Sequence, residues 1–409
     1  MSRRADVIVI GGGPMGALAA RCAAEAGAST LLLERRIEKT ASSSCAGLVS
    51  PRTLPLLGAS ARSVLRSIRA VDAFGPGGRK VQLRSEDVKA LVLDRESLEE
   101  ELLNRAESAG VEIRPDTTAK KIRSGCVECR SSGREATLDA GMIIVATGPS
   151  APVVHASELP VPPRLLPSAQ ATIEDTSGLN ENGDCVSICV GADVAPGFFA
   201  WSVPAEPGAL RIGLAVREGE NAVESLGRLL KARHPSAKVL HHAGGQIVVG
   251  PVHDPVRSGI LLVGDAAGHV KPLSGGGLYF GGICARIAGR MAAEAVRMGR
   301  THATDLAEYP ERCDRAIGRE LRFGLAARAL LDSLSDPRLG EAMAALDHPD
   351  LLAFLAEIGD IDRLREIPKA LLKKRRMWRR LLPFLGLLDT LLASDGTDSA
   401  VAPSLTDFL

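Results

Sequence analysis

Asp6-Val7-Ile8-Val9-Ile10-Gly11-Gly12-Gly13-Pro14-Met15-Gly16 is the stretch that decides the fold. An apolar strand enters a turn in which Gly11, Gly13 and Gly16 take the G-x-G-x-x-G positions, and an alanine-rich helix follows. The next apolar run ends at Glu34, which is placed to accept hydrogen bonds from ribose hydroxyls. Such glycines permit a tight turn, close approach of a pyrophosphate and close packing of helix on strand. The stretch therefore predicts a Rossmann-type dinucleotide site.

A second strand–loop–helix unit lies far along the chain. The apolar run 260–263 leads into Gly264-Asp265, and a glycine triplet, Gly275 to Gly277, precedes a helix of small residues. Bare amides at a helix N-terminus favour negative charge. A nucleotide unit at each end of the chain favours FAD over NAD, because the ribitol and flavin need protein distant from the first unit. Asp265 suits a ribitol hydroxyl, and the triplet suits the flavin edge that becomes anionic on reduction.

Four further motifs carry a family resemblance. They are Ser44-Cys45-Ala46-Gly47-Leu48-Val49-Ser50-Pro51-Arg52, Asp94-Arg95-Glu96-Ser97-Leu98-Glu99, Ala146-Thr147-Gly148 and Pro196-Gly197-Phe198-Phe199-Ala200-Trp201-Ser202-Val203-Pro204. With them the chain resembles FAD-dependent enzymes of the p-hydroxybenzoate hydroxylase type. Within that group it is most similar to geranylgeranyl reductases of the archaeal digeranylgeranylglycerophospholipid type. The departures are Phe199, where the family motif has Tyr, and Val203, where it has Phe.

The resemblance implies a reductase that saturates C=C bonds of lipid prenyl chains with hydride from reduced FAD. The implied proton donor is Cys45, Tyr279 or His269. The residues expected to bind FAD are Gly11, Gly13, Pro14, Met15, Gly16, Glu34, Arg35, Cys45, Ala46, Gly47, Arg95, Ala146, Gly148, Gly264, Asp265, Gly275, Gly276 and Gly277. No second G-x-G-x-x-G occurs, so the external electron donor stays open between NADPH and a reduced protein such as ferredoxin.

The segment 198–203 alternates as a strand, so Phe199, Trp201 and Val203 share one large apolar face. One interpretation is a core face of the second lobe. The other is the wall of an apolar tunnel that ends at the flavin, since an alkene chain leaves polar wall atoms unpaired. Both interpretations remain open at this stage.

Composition limits the partners of the chain. The 409 residues carry a net charge of +1, which gives no reason to expect nucleic acid binding. No charged-then-apolar leader precedes the fingerprint, and no run reaches the roughly 18 apolar residues of a membrane span, so we expect an intracellular protein. The eight cysteines include the pairs Cys126/Cys129 and Cys185/Cys189, but both lie in strand-like sequence without the turns of zinc knuckles, and we expect no metal.

These patterns predict an α/β protein with an α+β second lobe, in which a Rossmann-type FAD-binding domain is interleaved with a β-sheet substrate domain and followed by a helical region. The expected parts are 1–68, 94–151 and 251–300 for the FAD domain, 69–93 and 152–250 for the substrate lobe, and 301–409 for the helices. Within the last part, the basic and leucine-rich segment 369–388 is either a solvated, packed helix or an amphipathic helix on the inner face of a membrane.

Three other functions remain open on the same scaffold. A flavin monooxygenase or halogenase is one, since Phe199-Ala200-Trp201-Ser202-Val203-Pro204 is near the halogenase W-x-W-x-I-P pattern, although its first Trp is missing. A dehydrogenase that hands electrons to quinone is another, although the sequence shows no iron–sulfur cysteine cluster. A non-catalytic prenyl-binding escort protein is the third. Intact nucleotide motifs at Gly11, Gly13 and Asp265 weigh against the escort.

Overall fold

The computed structural model describes residues 4–36, 45–149, 151–174, 183–372 and 374. The strands in these ranges are β1 (Arg4–Ile10), β2 (Thr30–Leu33), β3 (Leu48–Val49), β4 (Val64–Ile68), β5 (Ala70–Gly75), β6 (Arg79–Arg84), β7 (Ala90–Leu93), β8 (Glu112–Arg114), β9 (Thr117–Arg123), β10 (Cys126–Ser131), β11 (Arg134–Val145), β12 (Leu165–Glu174), β13 (Cys185–Val190), β14 (Phe199–Pro204), β15 (Ala209–Ala215), β16 (Val239–Val248), β17 (Val256–Arg257) and β18 (Ile260–Leu262). The α-helices are α1 (Pro14–Glu25), α2 (Thr53–Leu57), α3 (Arg95–Ser108), α4 (Pro152–Ala156), α5 (Ala222–Arg233), α6 (Leu278–Met298), α7 (Glu308–Cys313), α8 (Arg319–Ser333), α9 (Asp336–Leu346), α10 (Pro349–Ile358) and α11 (Glu366–Leu372).

The first sheet is the predicted Rossmann-type sheet. Its order is β17-β18-β11-β1-β2-β8, with β10 paired to β11 and β9 paired to β10, and β1 is parallel to both β2 and β11. The core strands are apolar on both faces, because helices including α1 and α6 cover one face, and β9, β10 and α4 cover the other. On one face α1 and α6 pack closely: a Cβ at Gly289 of α6 would lie 2.3 Å from the Ala19 carbonyl oxygen. This arrangement fixes where the turn after β1 and the loop before α6 meet.

The second sheet has the order β16-β12-β15-β14-β13-β5-β6. Its neighbours are antiparallel except for β13 and β5, which run parallel. Helix α5 packs on β12 and β15 and buries one face of the sheet. The sequence patterns did not predict β12, β16 or α5, which add two strands and a helix to the lobe. The other face carries the residues that reach the candidate site.

The expected hairpin within 69–93 exists as β5 and β6, which form one edge of the second sheet. The rest of that segment, β7, pairs instead with β3 and β4 in a small sheet. The chain therefore crosses between the lobes as expected, while the sequence bounds of the domains stay predictions.

The described residues after 300 are mainly helical. Helices α9 and α10 pack on β6, and a Cβ at Gly75 would lie 2.0 Å from the Met343 sulfur, so the helical region is fitted against the second sheet. In the portion that the structure describes, none of the helices combines the length and apolarity needed to cross a bilayer. Most of the basic segment 369–388 lies outside the described residues.

Candidate active site

A cavity of about 1140 Å³ lies where the two sheets face each other. The carboxyl ends of β1, β2, β11 and β18 reach it from the first sheet, through Ile10, Leu33, Ala146 and Val263. Strands β13 and β14 reach it from the second sheet. Ligands of doubly wound sheets bind outside the carboxyl ends of the parallel strands, so the cavity is at the position that the fold predicts for a nucleotide.

Most of the residues expected to bind FAD line this cavity. Gly16 and Gly47 are the exceptions, and each allows two backbones to approach. A Cβ at Gly16 would lie 1.8 Å from the Gly11 carbonyl oxygen, and one at Gly47 would lie 2.6 Å from the Leu93 carbonyl oxygen. The assignment of these two glycines is therefore corrected from cofactor contact to support of the cofactor site.

The N-terminus of α1 is open toward the cavity. Its N-cap residue, Gly13, has extended backbone, Pro14 follows at the first helical position, and the cap carries no side-chain hydrogen bond. A Cβ at Gly13 would meet no atom within 4 Å. This helix end is a cradle that fits a pyrophosphate. Its amides carry no side-chain cap, the helix dipole makes it positive, and Gly13 leaves space for close approach.

Glu34 lies beside this cradle. Its carboxylate accepts from the Gly12 amide at 2.6 Å and from the Arg36 backbone amide and side chain at 2.9 and 3.0 Å. Burial alone would raise the pKa of Glu34, but the Arg36 and Gly12 donors outweigh it and hold the pKa below its ordinary value. The ionised carboxylate fits the predicted ribose contact.

Arg95, the first residue of α3, joins the motifs in the middle of the cavity. Its guanidinium donates to Glu99 at 2.8 Å and also hydrogen-bonds with Cys45. Burial would lower the pKa of Arg95, whereas the neighbouring Cys45 and Glu99 raise it, and the net shift is upward. Asp94 caps α3 by accepting a hydrogen bond from the Glu96 amide. A fixed cation thus lies beside the Cys45 thiol.

Asp265 occupies the short turn after β18. Burial raises its pKa, and the charge of Arg95 opposes the shift. A Cβ at Gly277 would lie 2.8 Å from the Asp265 carboxylate, and one at Gly275, whose φ is +72°, would lie 2.8 Å from Ile247. The glycine triplet therefore brings a bare backbone against the carboxylate, as a flavin edge and ribitol require.

Replacing Asp265 tests this contact. Asp265→Ala removes a buried acceptor for a ribitol hydroxyl, a loss of about 1–3 kcal/mol. We expect FAD affinity to fall roughly ten- to a hundredfold, measured by titrating apoprotein with FAD. Asp265→Asn keeps an acceptor oxygen and is the matched control. An unchanged dissociation constant for Asp265→Ala would exclude the contact.

Sequence analysis missed Lys271 as a site residue. Its buried ammonium lines the cavity beside the triplet and forms an ion pair with Asp362 at 2.7 Å, together with a hydrogen bond to the Ile361 carbonyl at 3.1 Å. The cation was visible within the loop sequence. Its partner was not, because it is 91 residues away.

The wall from the second sheet contains all three residues of the predicted face. Phe199, Trp201 and Val203 line the cavity, whereas Ala200 of the same strand lies in the core beneath. Trp201 stands opposite Gly213 of β15, where a Cβ would be 2.5 Å from the indole. The predicted alternation of β14 is therefore correct, and Gly213, which has no side chain, leaves the space that the indole fills.

The wall was expected to be without hydrogen-bonding groups, and this expectation is wrong. The Trp201 indole donates to the Gln170 side chain at 3.0 Å, and Gln170 donates to the Cys45 carbonyl at 3.4 Å. These two hydrogen bonds connect the wall to the segment that carries the candidate proton donor.

Two of the three predicted proton donors lie elsewhere. His269 does not line the cavity, and burial lowers its pKa to about 4, so it is neutral near pH 7. Tyr279 packs on Phe280 and the core of the first lobe. Cys45 alone of the three lines the cavity. We therefore withdraw His269 and Tyr279 as proton donors.

The two cysteine pairs singled out from the sequence also lie apart. Cys126 and Cys129 are in β10 of the first sheet, whereas Cys185 and Cys189 are in β13 of the second. They do not form a joint metal site.

Comparison with known proteins agrees with this geometry. Residues 4–211 match the family described as FAD binding domain. Digeranylgeranylglycerophospholipid reductase 2 of Methanothermobacter thermautotrophicus is 31% identical over 377 residues, which are 90% of this chain and 97% of that protein. A geranylgeranyl bacteriochlorophyll reductase-like protein of Thermoplasma acidophilum shares the fold with a TM-score of 0.81 and 21% identity, over 93% of this chain and 99% of that one.

The scaffold also occurs in other flavin enzymes. The myxobacterial chondrochloren halogenase superposes with a TM-score of 0.64 at 18% identity, over 86% of this chain and 96% of that one. At this identity the likeness concerns the fold alone. The pyrophosphate cradle, the ionised Glu34 and the Asp265 loop fit FAD, and the chain belongs to the FAD-binding digeranylgeranylglycerophospholipid reductase family.

Proposed function

We propose that this protein saturates C=C bonds in the geranylgeranyl chains of a membrane phospholipid. The observation that carries the proposal is a single cavity in which the FAD cradle continues into an apolar wall. The lining also includes the apolar residues Val186, Ile188, Leu355 and Ile367. Such a lining matches a prenyl chain, which offers no hydrogen-bonding group.

The protein's own contribution is to orient the chain and exclude water. The face formed by Phe199, Trp201 and Val203 holds an alkene against the glycine triplet, where bound and reduced FAD supplies the hydride. An isolated alkene has no carbonyl to stabilise charge, so a dry and close-fitting wall is needed while the hydride moves. Gln170 fixes the indole relative to the Cys45 segment.

Cys45 is the proposed proton donor. Hydride adds to one alkene carbon, and the Cys45 thiol gives its proton to the other, which leaves a thiolate beside the Arg95 guanidinium. Solvent then returns the proton to the sulfur. The exposure of Cys45 and the contact between Arg95 and Cys45 support this role.

A substitution series tests the donor. We expect Cys45→Ala to keep FAD and to slow alkene reduction by roughly a hundredfold or more, the usual scale of a lost proton donor. The rate is followed by reoxidation of chemically reduced flavin on adding lipid. Cys126→Ala, on β10 away from the cavity, is the matched control. A Cys45→Ala enzyme that reduces lipid at the wild-type rate would show that the proton comes from elsewhere.

The substrate assignment is tested on the purified holoprotein. Dithionite-reduced enzyme is mixed with detergent-dispersed digeranylgeranyl phospholipid, so that the natural electron donor need not be known. Mass spectrometry should show the lipid gaining hydrogen in pairs. Unchanged lipid, or lipid that gains oxygen or halide while NADPH is consumed, would overturn the proposal and favour a monooxygenase or halogenase.

We also propose that the protein works at a membrane surface, on the cytoplasmic side. The sequence 369–388 contains seven basic and no acidic residues, with Trp378, Phe384 and several leucines. Basic amphipathic segments bind anionic lipid through both charge and apolar burial. Sedimentation with anionic vesicles, compared with neutral vesicles and with a variant in which Arg375, Arg376, Arg379 and Arg380 are glutamine, tests this. Equal sedimentation in all three cases would refute it.

A further inference from the structure

A second group of reactive side chains lies outside the cavity. His269 follows the turn that carries Asp265, Cys284 lies in α6, and Cys313 is the last residue of α7. One ligand atom from each lies within 4.8 Å of the other two. All three residues are buried, at 4, 0 and 5% exposure, and none lines the FAD cavity. The proposed reduction uses none of them.

The polar atoms of this group have few partners. His269 Nδ1 is buried without a hydrogen bond, although buried polar atoms are nearly always paired. The Cys284 and Cys313 thiols hydrogen-bond with each other, and Cys313 also contacts the Tyr309 hydroxyl. Tyr309 in turn donates to the Leu262 carbonyl at 2.7 Å. The surroundings are the apolar core of the first lobe.

We propose that His269, Cys284 and Cys313 form a buried Zn²⁺ site. Thiolate and imidazole are donors that zinc prefers, and two thiolates with a neutral imidazole balance the charge of the ion. Charge balance matters here, because an uncompensated ion in an apolar core is strongly disfavoured. The Tyr309 hydroxyl brings one further oxygen to the group. This site departs from the sequence-based expectation of no metal, which considered only the pairs Cys126/Cys129 and Cys185/Cys189.

The distances are compatible with such a site. Tetrahedral zinc places two thiolate sulfurs about 3.8 Å apart, so shifts of about 1 Å or less would bring the three ligands into place. The ion would join α6 and α7 to the turn that carries Asp265. Metal binding would then stabilise the wall of the FAD site without touching it. The inference does not depend on the proposed reductase activity.

Metal content of the purified, full-length holoprotein is the direct test. From cells grown with added zinc, inductively coupled plasma mass spectrometry should find about one Zn²⁺ per chain. Cys284→Ala and Cys313→Ala should each lower this at least tenfold. Cys22→Ala is the matched control, since Cys22 is an equally buried thiol in the same core and should leave zinc unchanged.

A second measurement uses the wild-type protein, so a variant that fails to fold does not leave the question open. Cells grown with cobalt should yield protein with ligand-field absorption in the red, where oxidised flavin does not absorb, of the intensity typical of tetrahedral thiolate coordination. Absence of both zinc and cobalt, metal that persists in the Cys284→Ala variant, or a Cys284–Cys313 disulfide found by thiol counting and peptide mass spectrometry would each overturn the site.

Discussion

Gly13→Val protein is expected to purify colourless, because its FAD affinity should fall more than tenfold, a loss of more than about 1.4 kcal/mol of binding free energy. The reason is local. A Cβ at Gly13 meets no protein atom, so the added side chain fills the space where the pyrophosphate must approach and screens the open N-terminus of α1. Flavin absorbance relative to protein absorbance measures the result.

The control for Gly13→Val is Gly227→Val. Gly227 is an exposed glycine in α5 where an added Cβ also meets nothing within 4 Å. Its replacement therefore shows how a valine affects protein folding and yield where no ligand binds. It should purify yellow. If the Gly13→Val protein keeps full flavin occupancy, the phosphates lie elsewhere in the cavity.

Trp201→Ala is expected to keep FAD and to release partly saturated lipid. The indole lines the cavity on the sheet opposite the nucleotide motifs, and its removal leaves a gap into which the prenyl chain can shift. Because a displacement of about 1 Å can cost roughly a hundredfold in rate, the saturation of individual double bonds should slow by one to two orders of magnitude. Mass spectrometry of the products measures the distribution.

Two further variants separate the wall from the core interpretation. Trp201→Phe keeps most of the bulk but loses the hydrogen bond to Gln170, so it should lie between wild type and Trp201→Ala. Gly213→Ala adds a methyl group where the indole now lies and should reproduce the product shift without removing Trp201. A Trp201→Ala protein that folds and yields fully saturated lipid at the normal rate would place the substrate wall elsewhere.

The parts of the site that could be predicted are those formed by residues close together in the chain. The turn at Gly11 to Gly16 and the alternation at Phe199 to Val203 each depend on neighbours in the chain, and the structure places them as the sequence indicated. His269 was misplaced although it is only four residues from Asp265. Gly268 adopts φ +73° between them, and the chain then turns the imidazole into the core. A single residue in the left-handed conformation can turn the following side chain away from the site, and the periodicity of the sequence does not reveal such a residue.

Long-range partners explain what could not be predicted. Gln170 links Trp201 to Cys45 across three segments of the chain, and Lys271 meets Asp362 across 91 residues. No spacing rule connects such positions, since the register of β12 and the course of the C-terminal helices bring them together. The strands β12 and β16 were also missed, because they have neither strict alternation nor an unbroken apolar run.

The Lys271–Asp362 pair joins the C-terminal helical region to the FAD domain, so the helical region is an integral part of the folded protein. A chain ending before residue 360 would leave the Lys271 ammonium buried with no counter-charge, and removing one partner of a buried pair is far more damaging than removing both. Occupancy of the cavity by a ligand should therefore increase the resistance of the turn at 359–362 to proteases, and loss of the ligand should decrease it. In evolutionary terms, the two positions are free to change only as a pair, for example to two apolar residues of matching volume.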